Sequence, residues 1–270
     1  MRKAVFLAAS LCLATPALAA PDPVAPAGEL QSYRAVYDLS LEQAGGDVVG
    51  AGGRIAFEFI GNSCDGYTTN LRQVTTLAGD AGETVIDTTV STFEEPERDQ
   101  FAFRVRTVMP MVETMHLEGM AEKVEGALRI ALTAPETDVL EKAEAPDFPA
   151  QHILALIAAA RSGETTLSRA VYDGGDDGRD IFDTFAVIGR ELTPDSASLI
   201  PEQAQTRAWP VSLSYFERGE DGEGTPFYIT GFDLYENGIA DHLRLDFIDF
   251  VLRGTMTEFV LLDGGTCPQP

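Results

Sequence analysis

Three histidines, His116, His152 and His242, are the only imidazoles in 270 residues, so any acid–base chemistry near neutral pH would have to use one of them. A hydrolase triad needs a nucleophile presented to one of these rings, and the chain has no Gly-x-Ser-x-Gly elbow. Zinc would call for His-x-x-x-His or Cys-x-x-Cys, and neither spacing occurs. The stretch from Tyr172 to Asp180 superficially resembles a calcium loop. It has Gly175 at loop position three, where Asp or Asn is wanted, and it lacks the closing Glu, so it reads as an acidic hairpin turn. Glu94-Glu95-Pro96-Glu97 reads as a solvated connection, and composition this acidic makes chance carboxylate pairs for glycoside hydrolysis plentiful. No catalytic residue, cofactor site or metal site is assigned, and the chain reads as a non-enzyme.

His152 is the most informative of the three because of what surrounds it. Asp147, Phe148, Pro149 and His152 form a helix-start motif: Asp147 is placed to cap, and Pro149 is tolerated in the first turn. Ile153, Leu154, Ile157 and Ala160 follow at helical spacing, Leu156 widens the apolar face, and Gly163 is the natural stop. One helix is therefore expected over about 148–162, packed across a sheet or at the mouth of an open barrel. There His152 would either fix the helix start by a hydrogen bond or touch a ligand.

The rest of the chain is period-two. Tyr33, Ala35, Tyr37, Leu39 and Leu41 alternate with Arg34, Asp38, Ser40 and Glu42. Similar runs are expected at 54–59, 67–76, 84–93, 101–106, 127–133, 166–172, 181–192, 209–218, 227–234 and 255–262. Leu243, Leu245 and Phe247 mark one more strand, with Asp246 on its other face. Short strands separated by Gly, Asp and Asn predict a single all-β antiparallel sandwich or barrel. Trp209, the one tryptophan, reads as core or rim packing, with a carbohydrate platform as the sharper alternative.

Residues 1–19 read as a signal peptide: Arg2-Lys3, an apolar run from Ala4 to Leu13, and Ala17-Leu18-Ala19 for cleavage after Ala19. Cys12 lies inside the apolar run and is discarded with it. Residues 20–32 form a flexible Pro/Ala-rich leader, and 33–270 form one domain. No later stretch is long and apolar enough to span a bilayer, so the mature protein is expected to be soluble in the periplasm. Cys64 and Cys267 remain, and a lone pair in an exported chain reads as one disulfide. A formal net charge of −24 excludes nucleic acid and anionic lipid surfaces as partners.

The chain resembles the EipB family of periplasmic cell-envelope-integrity proteins. The resemblance spans essentially the whole mature sequence. It is carried by Tyr33 to Leu41, Cys64-Asp65-Gly66-Tyr67-Thr68, Ser91 to Glu94, Phe148-Pro149-Ala150-Gln151-His152, Val171 to Gly174, Pro210 to Phe216, Leu234 to Gly238 and Cys267. Tyr67 and Phe93 stand where tryptophan is expected in relatives. The resemblance implies an open antiparallel β-spiral shaped like the periplasmic lipoprotein carriers, with the Cys64–Cys267 bond joining the ends of the spiral. It also implies an envelope role under stress, with a periplasmic tetratricopeptide-repeat protein as partner. It brings no catalytic residues. The leading functional expectation is a lipid, acyl or apolar protein segment bound in the spiral cavity and gated by the helix. An interaction scaffold comes second, and an envelope-modifying hydrolase third.

Overall fold

The structure, a computed structural model, describes residues 29–110, 112–193, 206–218 and 224–267. Residues 1–19, read as a signal peptide, and most of 20–32, read as a leader, lie outside these residues. The leader does not stay free to residue 32: Leu30 is buried in the core and the Gln31 N–H donates to the Asn237 carbonyl at 2.8 Å.

Alternation does what it predicts. The first wing of the sheet consists of β1 (Tyr33–Gln43), β2 (Val48–Asn62), β3 (Gly66–Gly79), β4 (Gly82–Glu95), β5 (Gln100–Met109), β6 (Val112–Val124), β7 (Ala127–Ala134) and β8 (Asp138–Lys142). The helix α1 (Pro149–Ser162) follows. The chain then returns through β9 (Thr166–Val171), β10 (Phe182–Ile188), β11 (Ala208–Phe216), β12 (Tyr228–Tyr235), β13 (Ala240–Asp246) and β14 (Val251–Leu261). All fourteen belong to one antiparallel sheet, ordered β8-β7-β6-β5-β4-β3-β2-β1-β14-β13-β12-β11-β10-β9. Each wing is thus a meander of neighbours in sequence, and only β1 with β14 joins distant parts of the chain. β8 and β9 do not pair, so the sheet is open. Register shifts at Val36/Tyr37, Thr107/Met109, Glu118/Gly119 and Gly231/Asp233 add the local twist that lets so wide a sheet coil.

Tyr33, Ala35, Tyr37 and Leu39 show why the sheet curls. All four are buried on one face of β1, while Arg34 and Ser40 on the other are exposed. Their registry continues across β2, β3, β4 and β5, so that face carries Phe57, Phe59, Leu71, Val90 and Phe103, interspersed with Thr69, Gln73, Thr88 and Thr92, and its apolar part must be covered. The cover is α1. Leu156 and Ile157 share a core with Tyr67 of β3 and with Ala186, Val211, Leu213 and Leu234 of β10 to β12. One helix touching both wings fixes it on the concave side.

The disulfide is formed: Cys64 and Cys267 have Cα atoms 5.6 Å apart. It does not join the ends of the spiral. Cys64 is in the β2–β3 turn and Cys267 follows β14, and these strands flank β1 at the middle of the sheet. The ends of the spiral, β8 and β9, come from the middle of the chain on either side of α1.

Candidate functional site

The helix-start motif gathers two of the buried polar side chains, Glu94 and His152. Pro149 opens α1 and Gly163 closes it with φ +82°, its N–H reaching the Ala160 carbonyl at 3.1 Å. Asp147 is not the cap. Phe148 occupies that position and has no side chain to offer the first turn. Asp147 is instead bridged to Val171 by its backbone, and its carboxylate lies 3.6 Å from the Arg169 guanidinium. The free N–H groups are taken by a residue 56 positions away. Glu94 of β4 accepts from the Ala150 N–H at 2.7 Å and from the Gln151 N–H at 3.2 Å. A carboxylate at a helix N-terminus satisfies orphan donors and complements the helix dipole.

Glu94 is therefore no solvated connection. It is almost fully buried, and burial pushes its carboxyl up to about 7 against the two N–H donors and the Lys123 ammonium. Lys123 of β6 leans over the Phe148 ring, 4.3 Å from its centre, and burial lowers its pKa. Its ammonium also donates to the Gln151 side-chain oxygen, which accepts from the Phe148 N–H at 3.1 Å.

His152 faces the other wing. Its Nε2 lies 3.3 Å from the Thr184 hydroxyl of β10, and that hydroxyl donates to the Arg169 carbonyl at 3.0 Å. The hydroxyl proton being so used, Nε2 is the donor and the ring is the neutral Nε2–H tautomer. Burial, then the Arg169 charge, depress its pKa to about 4. The four motif residues are brought together with Glu94, Lys123, Arg169 and Thr184, and the result is a clasp between α1 and strands of both wings.

The other imidazoles lie apart. His116 is exposed, 3.6 Å from Glu118, and exposed His242 lies 3.0 Å from Asp233. Among the described residues none of the three rings is hydrogen-bonded to a serine or cysteine. No group of three or more His, Cys, Asp or Glu among them is placed to hold a metal ion. In the 172–180 loop, Asp173 and Asp177 accept the N–H groups of Gly175 and Arg179. Trp209 is buried against Ala159, Ala160 and Ile188, and Arg207 covers its ring, so it presents no platform.

On the helix, Leu156 and Ile157 are sealed against the core, while Ile153 and Leu154 are partly open. What stays accessible on the concave side is a strip beside it. Phe57, Phe59, Leu71, Val90 and Phe259 share the inward registry of Tyr33 and Ala35 yet are only partly buried. Phe59 stacks on Tyr67 with centroids 5.1 Å apart, and Phe57 lies 5.3 Å from Tyr33. This site has an apolar wall and a sealed polar clasp, and no positioned nucleophile among the described residues.

A family model described as EipB-like matches residues 24–263. The chain belongs to the EipB-like family. It is 31% identical over 246 residues to the cell envelope integrity protein EipB of Brucella abortus (strain 2308), covering 89% of this chain and 88% of that one. A solved structure, a β-barrel-like protein of a domain of unknown function from Brucella abortus, matches with TM-score 0.81 at 30% identity, covering 87% of this chain and 99% of that one. The expectation of an open antiparallel β-fold with one helix holds in this EipB-like chain. Glu94, the acceptor for the first turn of α1, is the residue of this clasp that sequence reasoning missed. The signal was present: a buried helix start without a usable cap residue must find an acceptor elsewhere.

Proposed function

We propose that this chain is an exported, non-enzymatic periplasmic protein that supports cell-envelope integrity by holding an apolar ligand against the concave face of its open sheet. The ligand class is an acyl chain or a lipidated or apolar protein segment. The observation that carries this reading is the half-covered strip Phe57, Phe59, Leu71, Val90 and Phe259, which faces inward in a sheet that never closes. Apolar surface of that kind is stabilised by an occupant.

The test is to purify the mature protein from a periplasm, extract it with organic solvent and identify the released species by mass spectrometry. A stoichiometric lipid or acyl species, absent from a control periplasmic protein and lost in Leu71→Arg, supports the reading. An empty protein that also fails to bind a fluorescent fatty acid overturns it. The alternative is a scaffold for a periplasmic tetratricopeptide-repeat protein. It draws on the acidic surface and on the edge of β8, which has no strand partner, and it calls for an association that weakens as salt rises.

A further inference from the structure

A second concavity lies away from the helix and does not rest on the reading above. It has a volume of about 570 Å³, within the range of ligand clefts, and opens where the β9–β10 loop crosses the ends of β6 and β7. The loop is pinned there. The Tyr172 hydroxyl donates to the Gly178 carbonyl at 2.8 Å, and Gly178 (φ +73°) lies so close that an added Cβ would sit 3.2 Å from Leu117 and Leu132. The left-handed φ favours glycine here, and a Cβ would press on the leucine methyls.

The accessible apolar lining is Met115, 42% exposed, and exposed Pro135, while Leu117 and Leu132 at the base are themselves buried in the core. The rim is acidic. Glu136 and Asp176 are exposed and form no ion pair among the described residues, although His116 also lines the cleft and the Glu136 charge acts on the Arg179 guanidinium. Arg179, a rim cation, is already engaged by Asp138 at 2.7 Å and by Asp177 at 3.8 Å. Accessible apolar surface beside a rim on which carboxylates outnumber cations, in a chain of net charge −24, complements a cation carried next to a bulky apolar group. Glu136 leads directly into β8, the terminal strand, whose outer edge has no strand partner. An incoming polypeptide can use such an edge through its backbone, and a lipid cannot.

We propose that this cleft docks a basic, amphipathic segment of a partner protein, its apolar side chain on Met115 and Pro135 and its Lys or Arg between Glu136 and Asp176. The probe is a fluorescein-labelled peptide of alternating Leu and Lys, titrated into the full chain at low ionic strength, with alternating Ser and Lys as control. The exposed double reversal Glu136→Lys/Asp176→Lys is expected to weaken binding at least tenfold, and Met115→Ser several-fold. The reversal Asp80→Lys/Glu83→Lys, on the distant β3–β4 turn, changes net charge equally and is expected to leave affinity within twofold. The Leu–Lys peptide is expected to slow hydrogen exchange in β8. Equal weakening by the two double reversals, or equal binding of the Ser–Lys peptide, overturns the proposal in favour of bulk charge. Displacement by a cationic detergent together with unprotected β8 amides overturns it in favour of a small amphiphile.

Discussion

Glu94 and His152 are both buried at the start of α1, and their protonation pulls stability in opposite directions. Glu94 has its folded pKa raised to about 7 from an ordinary 4.5. The native state binds its proton more tightly, so this contribution is full below about 4.5 and is lost as pH rises to 7. His152 has its folded pKa lowered to about 4 from 6.5. Its contribution is full above 6.5 and is lost as pH falls to 4. Each shift corresponds to roughly 3 kcal/mol, so the two cancel over pH 4.5–6.5. Glu94→Gln keeps an acceptor for the helix N–H groups while removing one slope. Relative to wild type it should gain about 3 kcal/mol between pH 4.5 and 7. His152→Gln should show the mirror image, gaining on acidification. Urea unfolding at four pH values between 4.5 and 7.5 measures both. Parallel stability curves for wild type and variants would mean that neither group titrates with folding.

The same clasp explains what the sequence revealed of the elements and what it hid. α1 was legible because its signals are local: proline in the first turn, apolar spacing, glycine at the stop. Its cap was not, because Glu94 reaches it through tertiary structure. Twelve strands were legible by alternation, but β6 and β8 were not. β6 carries Glu118, Gly119, Glu122 and Lys123, which are poor strand formers held by their neighbours in the sheet. β8 is five residues long, with Asp138, Glu141 and Lys142 protecting its free edge. Packing also ranks the helix residues. Leu156 is sealed between the wings, so Leu156→Ala should cost about 2–5 kcal/mol in chemical denaturation. Leu154→Ala, on the part-open side, should cost about 1 kcal/mol or less. Gly163→Ala meets no atom within 4 Å, so only its left-handed φ is strained, and about 1 kcal/mol is expected. Equal costs for the two leucines would remove α1 from the core.

Seen as a whole, the molecule has its covalent clamp and its weakest line in different places. The disulfide fastens the middle of the sheet, tying the β2–β3 turn to the tail behind β14, across a sequence separation of 203. The seam between β8 and β9 has no strand ladder. Side chains cross it: Lys142 to Asp180 at 3.1 Å, Arg179 to Asp138 at 2.7 Å and Arg218 to Glu144 at 2.6 Å, with Tyr172 and Ile181 packed beneath against Phe101 and Phe148. Exposed ion pairs of this kind each contribute about 1 kcal/mol or less and weaken with salt. Closing so long a loop stabilises by about 5 kcal/mol in the chain-entropy model, acting on the unfolded chain. Cys64→Ser/Cys267→Ser should therefore lower Tm strongly while leaving local opening at the seam unchanged. Hydrogen exchange separates the two effects. β8 and β9 amides should exchange before those of β1 and β14 in both proteins, and faster at high salt. If removing the disulfide accelerated seam exchange as much as it lowered global stability, the clamp and the seam would be one cooperative unit. Opening of the spiral would then be unfolding rather than a route to its concave face.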